Sequence, residues 1–308
     1  MKKLLCFLTI SILLISGCTK QANADNLMPL SFGAISSIDV LPIVIAEEKG
    51  YFEEEGLALN LELFTSANDR DAAFISGELE GMICDMIAIN LYQNSDVDVK
   101  ITSVTNGDFQ LIGRKDEALT DLNDIVGRKV AISDNTSIEY ALDKMVEHAG
   151  LSIDAPEKVI VPALPVRLEM LRNDQVDVAV LPEPFASLAL QDGYKLLGSA
   201  HELGYYTSVT AFTQEVLEGK QKEVESFFSA YNKAVDYLNN HPVQDYEEII
   251  FDVVGYPEEM KGSIHAPIFE KHALPTESDI ANVIDWVKEK GLVDHDLQPA
   301  ELLANFDF

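Results

Sequence analysis

The feature that most constrains the fold of this chain is a repeated alternation of short apolar segments with amphipathic segments of helical period. Leu30–Ile35 and Leu57–Phe64 have the length and composition of strands, and between them Asp39–Lys49 has a helical pattern that Gly50 ends. The same order of segments begins again after Leu119. Strands that alternate with helices are typical of mainly parallel sheets. The sequence therefore predicts an α/β protein.

Two segments of the chain resemble each other and indicate two lobes of like topology. Leu79–Asp85 and Val176–Pro182 each follow a predicted helix and begin with an apolar-acidic pair. Each then continues as an apolar strand and ends in a loop. The two segments share too few identical residues to be called a sequence repeat, but their common pattern predicts that each lobe contains the same arrangement.

The N-terminal segment predicts export and a lipid anchor. Two lysines precede the apolar run Leu4–Ile15, which is too short to span a bilayer about 30 Å thick, so residues 1–17 are interpreted as a signal peptide that is removed. The tetrapeptide that ends in Cys18 resembles the lipobox of bacterial lipoproteins, although Ile15 stands where that family usually has Leu. The resemblance implies that Cys18 is acylated and attached to the bilayer, with 18–26 forming the anchor and a flexible tether.

The charge and cysteine content exclude several classes of protein. The formal net charge is -30, whereas nucleic-acid binding needs a basic face, so we expect no nucleic-acid partner. Of the three cysteines, Cys6 lies in the signal peptide and Cys18 is the predicted lipidation site. Cys84 alone remains, so no intrachain disulfide is expected and stability must come from packing.

Four segments in order resemble one family of transport proteins. The run E-K-G-Y-F-E-E-E-G-L ends at Leu57, and it is followed by Phe74–Glu80, Asp121–Ala131 and Leu181–Phe185. These segments are similar to landmarks of the substrate-binding proteins of nitrate, sulfonate, taurine and thiamine-precursor importers, the SsuA/THI5-like and NMT1-like family. The resemblance extends over residues 30 to 240.

This resemblance implies a type II periplasmic-binding-protein fold, in which two α/β lobes enclose a ligand cleft and the chain crosses twice between them. We expect residues 27–113 plus 206–308 in lobe 1 and residues 114–205 in lobe 2. The two crossings are expected near Gly113–Asp116 and Ser199–Ser208, where they would act as the hinge. A monomer is expected, without cofactor or metal.

Polar residues follow the predicted strands, where open α/β sheets bind their ligands. Glu183 is prominent because Pro182 and Pro184 stiffen its loop. Thr136 has a second interpretation, since Thr136 and Glu139 have the spacing of a capping box. The candidate ligand-binding residues are Ser36, Ser37, Asp39, Ser66, Asn68, Asp69, Arg70, Asp85, Asn106, Asp108, Phe109, Ser133, Asn135, Thr136, Ser137 and Glu183.

The charges of these candidates favour one class of ligand. Five carboxylates stand against one base, Arg70, and burying an anion among carboxylates is unfavourable. A nitrogen heterocycle such as an aminopyrimidine thiamine precursor can donate to a carboxylate and stack on Phe109 or Tyr140. This interpretation requires the acids to face the cleft. The alternative is an anion receptor for sulfonate, taurine or nitrate, which would need hydrogen-bond donors and usually a base.

The predicted function is therefore that of an extracytoplasmic lipoprotein, anchored to the bacterial cell membrane, that delivers a small molecule to an ABC permease. A pyrimidine-synthesising enzyme of the THI5 type has the same fold but relies on clustered His and Cys residues. The six histidines here are dispersed, so we expect no enzyme. A metal-binding protein would need a ligand series that the sequence lacks. A surface adhesin would need a large exposed apolar patch.

Overall fold

The computed structural model of the protein describes residues 27–64, 66–115 and 118–305. The predicted signal peptide, Cys18 and the tether lie outside these residues. Two five-stranded sheets dominate, with strand orders β2-β1-β3-β10-β4 and β7-β6-β8-β5-β9. The strands are β1 (Met28–Ile35), β2 (Leu57–Phe64), β3 (Gly81–Asp85), β4 (Val99–Val104), β5 (Gln110–Gly113), β6 (Lys129–Ile132), β7 (Glu157–Ile160), β8 (Val178–Leu181), β9 (Lys195–Ser199) and β10 (Ser208–Thr213).

Helices alternate with these strands, as the sequence pattern predicts, and the C-terminal part of the described chain is mainly helical. Among the described residues, no helix is both long enough and apolar enough to cross a membrane. The helices are α1 (Leu41–Glu48), α2 (Tyr51–Glu54), α3 (Ala67–Ile75), α4 (Met86–Asn94), α5 (Ser137–His148), α6 (Leu164–Arg172), α7 (Phe185–Gln191), α8 (Gln214–Gly219), α9 (Gln221–Asn240), α10 (Glu247–Val254), α11 (Glu277–Glu289) and α12 (Pro299–Leu302).

Each sheet defines one lobe, and the first strand after each crossing runs antiparallel to its neighbours. Strand β5 pairs antiparallel with β8 and β9, and β10 pairs antiparallel with β3 and β4. All other pairings are parallel. The parallel strands therefore follow the same order in both sheets. The one antiparallel strand of each sheet, β10 or β5, is the first strand that the chain forms after it crosses from the other lobe.

The position of β5 corrects the expected lobe boundary. Residues 110–113 were assigned to lobe 1, but they pair within the second sheet, so the first crossing is formed by Thr105–Phe109 and not by Gly113–Asp116. The reason is that backbone pairing to β8 and β9, which lie much later in the chain, decides which sheet a short apolar strand joins. The second crossing runs from Ser199 to Ser208, between β9 and β10.

The start of α1 also differs from the sequence pattern. Asp39–Lys49 was expected to be one helix, whereas residues Ile38–Val40 form a 3₁₀ turn and the α-helix begins at Leu41. Pro42 lies in the first turn of α1, where its missing N–H has no intrahelical partner to lose. The turn keeps Asp39 out of the helix proper and directs its side chain toward the crossings.

The core of lobe 1 is built from the apolar faces of β1, α1 and α9. Phe32, Phe212 and Phe227 are fully buried and their rings pack 4.8–5.6 Å apart between centroids. Burying one such side chain contributes about 1.5–3 kcal/mol. A side chain at Gly81 would meet the Phe212 ring at 2.4 Å, so this position requires glycine.

The two resembling sequence segments occupy equivalent places in the two lobes. The amide of Ser31 donates to Glu80 at 3.0 Å, and the Glu80 amide donates to the Ser31 carbonyl at 2.9 Å. In lobe 2, Lys129 and Asp177 make the same reciprocal pair at 2.9 and 3.0 Å. Glu80 therefore attaches the start of β3 to β1, and Asp177 attaches the start of β8 to β6. The predicted likeness of the two lobes is confirmed.

Candidate functional site at the lobe junction

The carboxyl ends of β1, β3, β6 and β8 bring several of the candidate residues together, and we call this region the lobe junction. It is bordered by the Asp85–Ser137 and Glu183–Tyr256 contacts, each of which joins one lobe to the other. The two crossings lie beside it, because Ser208 at the start of β10 pairs with Asp85 at the end of β3. The region therefore has the placement that open α/β sheets use for ligands.

Asp39 holds the two crossings together. Its carboxylate accepts hydrogen bonds from the hydroxyls of Ser37 and Ser208, the latter at 2.7 Å, and Thr105 Oγ1 lies 3.1 Å away. Thr105 also donates to the Ser208 hydroxyl at 2.8 Å. We call these four residues the Asp39 cluster. Asp39 is only 5% exposed, and each of its two carboxylate oxygens has a protein hydroxyl as a hydrogen-bond partner.

Asp85 is the carboxylate with the most remaining acceptor capacity at the junction. One oxygen accepts from the amide of Ala88 at 2.9 Å and so caps helix α4. The other oxygen lies 3.5 Å from the hydroxyl of Ser137 in lobe 2, and the amide of Ile87 also hydrogen-bonds the carboxylate. Burial raises the pKa of the Asp85 carboxyl, and the Ala88 amide opposes that shift. This oxygen can therefore accept a further donor.

Glu183 also lies at the junction but is engaged by protein. It accepts from Tyr256 of lobe 1 at 3.0 Å, from Gln110 at 3.2 Å and from the amide of Ser187 at 3.2 Å. The Glu183–Pro184 peptide bond is cis. Burial, followed by the Glu183 charge, raises the pKa of the Tyr256 phenol. Glu183 therefore connects the lobes, while its direct contact with a ligand stays a prediction.

The crossing candidates have partners within the chain. Asn106 donates to the carbonyl of Ile268 at 3.0 Å and accepts from the amide of Glu270 at 3.1 Å. Asp108 accepts from Ser199 at 2.8 Å and from the amide of His201 at 3.0 Å, which ties the first crossing to the second. Phe109 packs against the core of lobe 2. These contacts fix the crossings to each other and to the lobes.

Candidates on α3 and before α5 are occupied mainly by local capping. Ser66 caps α3, and its side chain hydrogen-bonds that of Asp69 at 2.7 Å. Ser66, Asp69 and the exposed Asn68 lie just after the edge strand β2. Thr136 caps α5, as predicted, by accepting from Ile138. The Glu139 carboxylate accepts a hydrogen bond from the backbone amide of Asn135, whereas a capping box requires the backbone amide of Thr136 as the donor. Asn135 is exposed, and Ser36 is partly buried beside β2.

Each lobe contains a buried arginine at the same place below the junction. Arg70 donates to the carbonyl of Ile83 at 2.9 Å, and Arg167 donates to the carbonyl of Val180 at 2.6 Å, each thirteen residues earlier in the chain than its acceptor. Arg70 pairs with Asp71 at 2.6 Å and does not face the junction as a free base. Arg167 instead contacts carbonyls and the hydroxyl of Ser133.

A further contact between the lobes, away from the junction, was missed from the sequence. Trp286 of α11 donates to Asp143 of α5 at 3.0 Å, and Lys290 pairs with Glu139. Tyr140, which was proposed for ligand stacking, packs edge-on against Trp286 with centroids 5.7 Å apart and is 3% exposed. The partners are more than 140 residues apart, so only an amphipathic pattern on each helix could have indicated a buried face.

Two kinds of side chain bear on catalysis among the described residues, the cysteine thiol and potential metal ligands. Cys84 is buried, and burial raises the pKa of its thiol, which keeps it protonated and weakly nucleophilic. Within residues 27–64, 66–115 and 118–305, no group of three or more His, Cys, Asp or Glu side chains could hold a metal ion.

The two lobes, the exchanged strands and the junction define a periplasmic-binding-protein fold. Comparison supports this assignment: the periplasmic aliphatic sulphonate-binding protein of Escherichia coli superposes with a TM-score of 0.78 at 16% identity, over 89% of this chain and 97% of that one. The predicted fold class is therefore confirmed.

The chain belongs to the family described as NMT1/THI5 like, whose model matches residues 37–245. The predicted family is confirmed. An aliphatic sulfonate-binding protein of Bacillus subtilis (strain 168) is 26% identical over 265 residues, covering 78% of this chain and 75% of that one. The 4-amino-5-hydroxymethyl-2-methylpyrimidine phosphate synthase of Aspergillus parasiticus is 25% identical over 284 residues, covering 84% and 81%. The relatives therefore include both binding proteins and enzymes.

Proposed function

We propose that this protein is an extracytoplasmic solute receptor that holds a small organic molecule at the lobe junction and delivers it to an ABC importer. The proposal is supported by the two-lobed fold and by the names of similar proteins, which include sulfonate-binding proteins. Cys18 attaches the mature chain to the bilayer, residues 19–26 form the tether, and the receptor acts as a monomer. Ligand contacts made on both lobes would favour the closed form, which the permease recognises.

The ligand we favour is a nitrogen heterocycle such as an aminopyrimidine. One observation carries this choice: the Asp85 oxygen that faces the Ser137 hydroxyl across the lobes lies 3.5 Å from it, so it retains capacity for a closer donor. An amino group beside a ring nitrogen can donate to that oxygen while the hydroxyl of Ser137 turns toward the ring nitrogen. The broader charge argument is weaker than the sequence suggested, because Asp39, Asp69, Asp108 and Glu183 all have protein donors.

An anion receptor is the second candidate. The names of the sulfonate-binding relatives favour it, and α5 presents its N-terminus at the junction beside Ser137. Helix N-termini stabilise anions through free amide groups. Against it stands Asp85, whose charge would repel an anion placed at the same point.

We infer binding without turnover, although a pyrimidine phosphate synthase is among the relatives. Burial raises the pKa of the Cys84 thiol and so disfavours the nucleophilic thiolate, and the described residues contain no group of three or more His, Cys, Asp or Glu side chains that could hold a metal ion. Chemical change of an added pyrimidine by the purified protein would contradict this inference.

Titration calorimetry of the mature protein tests the proposal. The probes are the hydroxymethylpyrimidine 4-amino-5-hydroxymethyl-2-methylpyrimidine and the anion ethanesulfonate. We expect the pyrimidine to bind and Asp85→Asn to weaken it about tenfold to hundredfold, because a charged acceptor is lost. Asp154→Asn is the matched control and should leave the affinity unchanged, since Asp154 is exposed in the loop between α5 and β7. Binding of ethanesulfonate alone would favour the second candidate.

A further inference from the structure

Helix α5 belongs to lobe 2, yet one of its faces is buried against lobe 1. Tyr140 is 3% exposed and packs with the apolar core of lobe 1, where its ring meets that of Trp286 edge-on. The Trp286 indole also donates to the carboxylate of Asp143 at 3.0 Å. Separation of the lobes would expose both aromatic rings to water, which is unfavourable. Packing at this face therefore favours the arrangement in which the lobes lie together.

The buried charges on this face of α5 are balanced only across the lobes. Glu139 and Asp143 are 3% and 1% exposed, and among the described residues of lobe 2 Lys158 alone forms an ion pair with either of them. Lys290 of lobe 1 pairs with Glu139 and supplies the second positive charge. Two acids and two bases are neutral together, whereas lobe 2 without lobe 1 keeps two carboxylates and one ammonium group. Removing one partner of a buried ion pair is strongly unfavourable.

The ionisation of Glu139 supports the same conclusion. Burial alone would raise its pKa, but hydrogen bonds from Lys290, from the amide of Asn135 and from Lys158 together lower it below the ordinary value. The bond from Lys290 is the strongest of these three effects. A lowered pKa means that the surroundings stabilise the charged form. The lysine of lobe 1 thus stabilises the buried carboxylate of lobe 2.

The same helix also reaches the lobe junction. Ser137, its first residue, faces Asp85 across the lobes at 3.5 Å. Asp143 lies six residues further along α5, which is about 9 Å along the helix axis. A helix moves as one body over this distance. Ser137 therefore cannot move far from Asp85 unless the contacts of α5 with Trp286 and Lys290 also stretch or break.

We propose that Glu139, Tyr140 and Asp143 of lobe 2 form, with Trp286 and Lys290 of lobe 1, an interlobe latch that favours the closed arrangement before a ligand binds. The latch residues are positioning residues for ligand binding, because they act through the distance between Asp85 and Ser137. A protein that is already largely closed binds more tightly a ligand that contacts both lobes, since less free energy is spent on closure. This effect on affinity rests on the proposed function, whereas the latch itself requires no ligand.

The latch is tested first without ligand, on the mature chain with Cys18→Ser, which lacks the acyl chains. Trp286 is the sole tryptophan of the chain, so acrylamide quenching of its fluorescence measures the exposure of the latch. We expect Lys290→Met to raise the quenching constant at least about twofold, because the open form becomes more populated. Lys288→Met is the matched control on the same helix, since Lys288 pairs with Asp296 within lobe 1, and it should leave the constant unchanged.

Small-angle X-ray scattering of the same proteins separates lobe opening from local exposure. The Lys290 ammonium lies 5.3 Å from the centroid of the Trp286 ring, so its removal also uncovers the ring directly. The radius of gyration does not depend on that local change. We expect it to be larger for Lys290→Met and for Glu139→Gln than for the parent protein and Lys288→Met. Equal radii in all four proteins would overturn the latch, whichever ligand the receptor binds.

Calorimetry tests the effect on affinity with the hydroxymethylpyrimidine and ethanesulfonate. The probe that the parent protein binds should bind Lys290→Met about tenfold more weakly. The double variant Glu139→Gln/Lys290→Met should be little weaker than either single variant, because each substitution removes the same ion pair. Larger radii with unchanged affinity would overturn the link between latch and binding and leave the receptor function standing. Binding of neither probe would count against the proposed function, while the scattering comparison would still decide the latch.

Discussion

Asp39 shows how a single carboxylate can organise a hinge. The Asp39 cluster joins the end of β1, the first crossing at Thr105 and the end of the second crossing at Ser208. Both crossings between the lobes are therefore attached to one buried carboxylate. Any relative movement of the lobes must bend the crossings on either side of this fixed point.

We expect Asp39→Ala to destabilise the protein by about 1–3 kcal/mol, because it removes the acceptor of the buried Thr105 hydroxyl and of the partly buried Ser37 and Ser208 hydroxyls. Asp39→Asn should cost less, since its amide oxygen still accepts. Urea unfolding measures both free energies. Asp154→Ala is the control at an exposed acid outside the helices and should stay within about 0.5 kcal/mol of wild type. Equal stability of the Asp39→Ala protein and wild type would show that the cluster is not structurally important.

The residue scale also shows where sequence-based prediction of the site ends. Asp85, Ser137 and Glu183 were chosen because they follow strands, and the structure brings them to the lobe junction. Asp39 was chosen for the same reason, yet its partners lie 66 and 169 residues away, so nothing local could reveal that it is occupied. Strand order places a residue at the junction, whereas long-range hydrogen bonds decide whether its polar atoms remain available.

At the scale of elements, α5 contacts lobe 1 at two separate places. Its first residue approaches Asp85, and its middle turn packs against Trp286 and Lys290 of α11. Lys158 pairs with Asp143 and Glu139 on the same face. Opening of the lobes by rotation must therefore break or pivot about the contact between α5 and α11.

We expect Trp286→Phe to lower the free energy of unfolding by about 1–3 kcal/mol, because the buried Asp143 loses its indole donor while an aromatic ring remains. Lys288→Ala on the same helix is the control. Its ion pair with Asp296 is exposed and screened by solvent, so its loss should change the free energy of unfolding little. Guanidinium unfolding of the two variants provides the comparison, and a larger effect of Lys288→Ala would contradict the buried contact.

The elements themselves were mostly predictable, and their pairing was not. Apolar strands, helix caps such as Thr136 and the strand–helix alternation depend on neighbouring residues, so the sequence pattern contains them. The assignment of β5 to lobe 2 and the α5–α11 contact depend on segments far along the chain. A four-residue strand has no local signal for the sheet that it joins.

At the scale of the whole molecule, the predicted lipid anchor decides where the receptor operates. Cys18 lies outside the described residues, and its acylation rests on the lipobox resemblance. We expect Cys18→Ser to move the folded protein from the membrane fraction to the soluble extracytoplasmic fraction, because the acyl chains are lost. Fractionation followed by immunoblotting measures this, with Cys84→Ala as the control that should remain with the membrane. Retention of the Cys18→Ser protein on the membrane would contradict the anchor.

The central claim is that a small nitrogen-containing molecule binds between the lobes at Asp85. Mass spectrometry of the molecules released by heat from freshly purified protein tests it most directly. We predict one small organic amine or nitrogen heterocycle at close to one equivalent from wild type, and much less from a folded Asp85→Asn protein prepared in parallel. Release of the same amount from both proteins, or of no such molecule from wild type, would contradict the claim.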